Sequence, residues 1–214
     1  MKKRAFCLIL CLSMAFCFSA QASSGSFYRH LQYGMLVPYE NYVYHYSLKV
    51  FDRFEMVPDE FLEPFWEHWE AEKSEDDDEI YDIRFWLSQD GRYELEVQVK
   101  QPSYDSFETE IAKAPEYADL VADGYAEENH LRMIHDGVLR STPAGDMLEI
   151  AVAYDTEEED GHVYTTVFVY YDIYANDMEY CFSLYAYDGD YETAQSLLDE
   201  ICQTVELTPV GFLA

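Results

Sequence analysis

Two stretches of this chain alternate apolar and polar residues with a period of two, and that alternation commits most of the sequence to β-structure. Tyr93, Leu95, Val97 and Val99 are interleaved with Arg92, Glu94, Glu96, Gln98 and Lys100. Just before them Ile83, Phe85 and Leu87 alternate ahead of a turn at Asp90-Gly91. Successive side chains of a strand point to opposite faces, so the pattern predicts a hairpin with one face buried and one wet. A second block, from about 131 to 187, is cut into four strands by turns at Pro143-Ala144-Gly145, Glu157 to Gly161 and Ala175-Asn176-Asp177. Connections this short make neighbouring strands antiparallel.

Helical spacing occupies the intervals. Phe61, Phe65 and Trp69 fall four apart within 58–72, where Pro64 limits regularity. Tyr104, Phe107, Ile111 and Ala114 predict a helix after Pro102-Ser103, and Pro115 starts a second helical segment carrying Tyr117, Leu120 and Val121. Asp190 caps a last helix with Ala194, Leu197, Leu198 and Ile201 on one face. Val43 to Phe51 reads as a first strand, and Glu72 to Glu79 as a solvated acidic loop. The fold class is therefore α+β, a mostly antiparallel sheet of six or seven strands flanked by two or three helices.

The order of a strand at 43–51, the hairpin 83–100, a helix, a long meander and a terminal helix ending in ICQTVEL resembles the PsbP-like fold family. The part that carries the resemblance is TTVFVYYDIYANDMEYCFSLYAYDGDYETAQSLLDEI, a strand hairpin running into a helix, within a match over roughly 43–208. The resemblance implies a PsbP-like sandwich and a tendency toward accessory or protein-binding roles. It includes no ligand or catalytic motif, so no functional residue is carried over from it.

The chain opens with Lys2, Lys3 and Arg4, then an uncharged apolar run from Ala5 to Ala20, then Ala20-Gln21-Ala22. This is the pattern of a signal peptide cleaved between Ala22 and Ser23, which predicts a secreted, extracytoplasmic bacterial product, in the periplasm or outside the cell. The expected organisation is a signal peptide at 1–22, a tether at 23–42, one α+β domain at 43–208 and a short tail at 209–214. With 13 basic and 43 acidic residues the net charge is −30; losing the three basic residues of the signal leaves 10 against 43, or −33. A charge of that sign repels nucleic acid and anionic membrane surfaces, and no later segment is apolar enough to span a bilayer. After cleavage Cys181 and Cys202 are the two remaining cysteines, and an oxidising compartment permits a disulfide between them. The spacing leaves paired and free thiols equally open.

Catalytic signatures are missing. No G-x-S-x-G elbow or S-x-x-K occurs, and His130 and His135 are five apart, a spacing that faces them away from a shared ion on a strand or a helix. The acidic run Asp155 to Gly161 falls short of a calcium loop, because its glycine comes one residue late and the twelfth position is Thr166. Parity on the meander puts Leu148, Ile150, Val152, Val163, Val167, Val169, Phe182 and Leu184 on an aliphatic face. Tyr164, Phe168, Tyr170, Tyr174, Tyr185 and Tyr187 share the opposite face with Cys181 and Ser183. That tyrosine-rich face is either a recognition surface or a layer covered by the helix near 104–123. The expectation is a non-enzymatic domain that binds a basic protein or peptide, with no cofactor. A calcium-dependent accessory protein is the alternative, followed by an unrecognised extracellular hydrolase.

Overall fold

The computed structural model describes residues 33–72, 79–120, 131–157, 163–187 and 189–209. The signal segment with Ala22 and Ser23, His130 and most of the Asp155 to Gly161 run lie outside the described residues. The chain order is β1 (Leu36–Asn41), β2 (Tyr46–Phe51), β3 (Phe54–Met56), a 3-10 turn (Asp59–Phe61), α1 (Glu63–Glu72), β4 (Ile80–Ser88) and β5 (Tyr93–Lys100). It continues with α2 (Phe107–Leu120), β6 (Arg132–Thr142), β7 (Gly145–Glu157), β8 (Val163–Ala175), β9 (Met178–Ala186), α3 (Tyr191–Cys202) and β10 (Glu206–Leu207). Seven strands form one antiparallel sheet in the order β3-β4-β5-β9-β8-β7-β6, and β1-β2-β10 form a second, three-stranded sheet. The protein is α+β, as its periodicities predict.

Direct partners across a sheet share a face, so the register defines two surfaces. One carries Leu95, Leu184, Val169 and Ala151 in a single row, with Val97, Phe182 and Tyr171 in the next. Against this inner face pack α3, through Ala194, Leu197, Leu198, Ile201 and Cys202, and the small sheet, through Tyr46, Leu48, Val50 and Phe51. Asp190 caps α3 by accepting from the Thr193 backbone N–H at 3.1 Å. The other, outer face of the large sheet is covered at one end by Phe65 and Trp69 of α1, over Ile83 and Phe85. At the opposite end Ala114 of α2 sits over Leu148 and Ile150.

Four expectations are corrected. Residues 36–41, read as tether, form β1, because Leu36 to Asn41 hydrogen-bond in register with Phe51 to Tyr46. Pro115 does not start a new helix; it lies inside the continuous helix α2, leaving the Ile111 carbonyl without its usual donor. Phe61 is not part of the buried side of α1 but exposed in the 3-10 turn that precedes it. Leu148, Ile150 and Val152 share the tyrosine face instead of the aliphatic one, because they pair with Asp172, Tyr170 and Phe168.

The outer edge strand β6 is interrupted twice, with register shifts between Met133 and His135 and between His135 and Val138. Gly137 sits there at φ +140°, and a Cβ on it would come within 2.9 Å of the Ala114 Cβ. Glycine is thus required by backbone and by the approach of α2 together.

Truncating the centre of α3 tests the inner core. Leu198→Ala is expected to destabilise by about 2–5 kcal/mol, read by urea denaturation, because a fully buried side chain leaves a cavity the sheet cannot close.

Candidate functional site

The outer face between α1 and α2 is where the chemistry collects. The strands β5, β9 and β8 contribute, row by row, Glu94–Tyr185–Phe168, Glu96–Ser183–Tyr170, Gln98–Cys181–Asp172 and Lys100–Glu179–Tyr174. This is the polar parity of the hairpin, expected to be wet. It is buried instead: Glu94, Glu96, Asp172, Glu179, Cys181 and Ser183 are all in the interior. Glu110 reaches down into the same layer from α2 and is buried as well.

Tyrosine hydroxyls supply donors at one end. Tyr187 donates to Glu94 Oε2 at 2.8 Å, Tyr185 donates to Glu96 Oε2 at 3.3 Å, and Gln98 Nε2 donates to Glu96 Oε1 at 3.2 Å. Burial, with Glu94 alongside, pushes the Glu96 carboxyl up to about 8. Burial raises Glu94 too, against the opposing hydrogen bond from Tyr187. Two carboxyls two residues apart on one buried face cannot both ionise cheaply, and Glu96 is the one pushed past neutral pH.

The other end is organised around an ion pair. Lys100 Nζ lies 2.7 Å from Glu179 Oε1 and donates to Ser103 Oγ at 3.0 Å, while the Ser103 N–H donates to Glu179 Oε2 at 2.8 Å. Burial opposes the charge on both partners, yet the pairing wins: Glu179 is held below its usual range and Lys100 well above. Cys181 donates from Sγ to Glu179 Oε1 at 3.3 Å. Burial drives Asp172 and the Cys181 thiol well upward; Glu110 and Glu179 push Asp172 further, Asp172 and Glu179 push the thiol further, and Lys100 opposes both. Asp172 Oδ1 is buried with no hydrogen-bond partner. Asp172, Glu179 and Cys181 each place one donor atom within 4.8 Å of the others, an arrangement among the described residues that could hold a metal ion.

Of the six aromatic residues of the candidate recognition face, Phe168, Tyr170, Tyr185 and Tyr187 cluster as a layer, and Tyr164 and Tyr174 lie towards the two ends of β8. Phe168 packs on Tyr185 at 4.7 Å and on Tyr170 at 5.3 Å between ring centres. Tyr174 packs on Phe107 of α2 at 5.7 Å and accepts from the Tyr104 N–H at 3.2 Å. Phe168 and Tyr185 are buried, and Tyr164, Tyr170, Tyr174 and Tyr187 are half-buried. Cys181 and Cys202 are free thiols, buried on opposite faces of the sheet, so the alternation of side chains along β9 keeps them from pairing. Asp155, first residue of the calcium-like run, is engaged by Arg132 at 3.1 Å and by the Thr165 hydroxyl at 2.6 Å.

A further buried carboxylate, Glu149, stands on the inner face. Glu149 accepts from Arg140 Nε, from the Tyr191 hydroxyl at 3.0 Å and from Gln195 Nε2 at 3.4 Å, with His135 Nε2 at 3.3 Å. These partners come from β6 and α3, so the carboxylate ties that helix to the sheet edge.

The described surface is strongly acidic. Around β3 and the 3-10 turn, Asp52, Glu55, Asp59, Glu60, Glu63 and Glu67 are exposed, together with the large apolar side chains Met56 at 45% and Phe61 at 59%. Arg84 pairs with Asp59 and with Asp82 there.

No protein-family model matches the chain, and no curated protein matches it in sequence. Among solved structures the fold is similar to the Saccharomyces cerevisiae Ran-binding protein Mog1p, at TM-score 0.48 and 11% identity over 85% of this chain and 100% of that one. It is also similar to the cyanobacterial PsbP of Synechocystis, at TM-score 0.48 and 13% identity over 87% and 98%. LpqN of Mycobacterium tuberculosis, involved in cell envelope biogenesis, aligns at TM-score 0.40 and 12% identity over 81% and 86%.

The raised Glu96 carboxyl has a consequence for stability. Its folded state holds a proton that the unfolded chain releases near pH 4.3, so its contribution is complete below that value and is lost as pH rises through about 8. Glu96→Gln is expected to flatten the fall in Tm between pH 5 and about 8.5 and to be more stable than the parent at the upper end, by about 2–4 kcal/mol. Thermal melts of both proteins across that range check it.

Proposed function

We propose that this chain is a non-enzymatic, extracytoplasmic domain that binds a basic protein or peptide. The observation that carries the reading is the surface of residues 52–67, where exposed Phe61 and Met56 stand among exposed carboxylates. An exposed aromatic side chain offers an anchor with a large apolar area, and the surrounding negative charge selects a cationic partner and steers its approach. The net charge, −33 once the signal is removed, extends that steering beyond the patch. The tyrosine layer belongs to the interior of this reading, since α2 packs against it and its hydroxyls serve buried carboxylates. Glu149 likewise spends its lone pairs on Arg140, Tyr191 and Gln195.

A random peptide display library panned on the purified protein tests the binding reading. Enrichment of Lys- and Arg-rich sequences with an aromatic or aliphatic residue is expected, with affinity falling as salt rises. Phe61→Ala is expected to weaken a selected peptide about tenfold, and Glu60→Lys with Glu63→Lys to slow association at low salt. Enrichment without basic residues, or binding indifferent to these changes, overturns the reading.

Export has its own test. Expressed from its full gene in a bacterial host, the protein is expected outside the cytoplasm with Ser23 as its first residue by N-terminal sequencing; a cytoplasmic product retaining Lys2 to Arg4 overturns it.

A further inference from the structure

We propose that Asp172, Glu179 and Cys181 form a binding site for one divalent transition-metal ion, with zinc favoured by the donor set. The three come from facing positions on β8 and β9, are all buried, and bring one donor atom each within 4.8 Å of the others. A tetrahedral zinc ion sets its donors about 3.3–3.8 Å apart, so a contraction of about 1 Å closes the site around the ion. Asp172 Oδ1 is a buried acceptor with no hydrogen-bond partner, a costly state that a metal–oxygen bond removes. The thiolate favours a borderline-soft ion over calcium, which takes oxygen donors.

Binding of a divalent ion at this geometry sets the charge balance. The groups that face the site are Lys100 of β5, Asp172 and Tyr174 of β8, Glu179 and Cys181 of β9, and Glu110 of α2, which stands beside Asp172 and Tyr174. Without metal, Lys100 and Glu179 pair, while burial favours the protonated forms of Asp172 and Cys181. A divalent ion takes the place of those two protons. The Asp172 O–H and Cys181 S–H bonds break heterolytically, both protons leave to solvent, and the ion bonds to the carboxylates and the thiolate. Lys100 keeps its charge and its contact with Glu179, so the buried charge is the same in both states.

Cobalt is the probe, because a thiolate bound to Co(II) gives a sulfur-to-metal charge-transfer band. Titrating metal-free protein with Co(II) is expected to produce that band with an end point at one equivalent, and Zn(II) to displace it. Cys181→Ser should abolish the band and Cys202→Ala should retain it, since Cys202 lies on the other side of the sheet. Calorimetry with Zn(II) in buffers of different ionisation enthalpy should report two protons released. Affinity should accordingly rise by roughly 100-fold per pH unit below the upward-shifted thiol and carboxyl. Asp172→Asn, which preserves shape, should weaken binding by more than the roughly 10–100-fold that outer-sphere partners carry. It also keeps the proposal testable if Cys181→Ser fails to fold. Metal uptake without a thiolate band, a band that survives Cys181→Ser, or unchanged affinity in a folded Asp172→Asn protein each overturns the site.

Discussion

Strand β9 is the constraint on which the molecule depends. It is hydrogen-bonded along its length to β5 on one side and β8 on the other, and both of its faces are buried. A shift of one residue would move Phe182 and Leu184 away from α3 and bring Glu179, Cys181 and Ser183 into the hydrocarbon beneath it. That error is excluded from both sides, because the polar parity also has obligatory partners in Lys100, the Ser103 N–H and, through Tyr185, Glu96. The turn at Asn176-Asp177, both with positive φ, fixes where the β8–β9 pairing begins, with Ala175 opposite Met178.

Burying acids under helices is expensive, and the protein offsets the cost in two ways. Glu179 keeps its charge and finds a cation with two further hydrogen-bond donors. For Glu96 and Asp172 burial favours the neutral, protonated carboxyl, which is cheaper to hold in the interior. Tyrosine suits this layer because its ring fills space as an apolar residue would and its hydroxyl still reaches a carboxyl. Proton content is therefore part of how the outer half of the molecule is built, and any ligand that competes with protons acts on its packing as well.

The inner half was legible from alternation and helical spacing. The Leu197–Leu198–Ile201 stripe meets Phe182 and Leu184, and all four strands from 132 to 186 stand where their turns place them. The outer half was not. Alternation divides a strand into two faces, but it does not say whether the polar one meets water, and Glu94-x-Glu96 has the same pattern in either case. Nor does it state which face of β7 joins which face of β8, a matter of pairing across 158–162; Leu148 accordingly lies opposite Asp172. β1 was hidden because Pro38 and scattered tyrosines blur its period, although Pro38 is tolerated on an edge strand. The Asp172–Glu179–Cys181 cluster spans two strands and a tight turn, so no linear spacing motif announces it.

The double irregularity of β6 bears on how copies of the chain meet. A straight outer strand exposing free amides and carbonyls is a template on which another molecule can continue the sheet. Here the ladder is broken at Met133–His135 and again before Val138, and Asp136 and Arg132 project from the same rim. An incoming strand would find its hydrogen bonds out of step within a few residues. The protein can thus be abundant and rich in strand-forming residues while that edge resists growth into fibres.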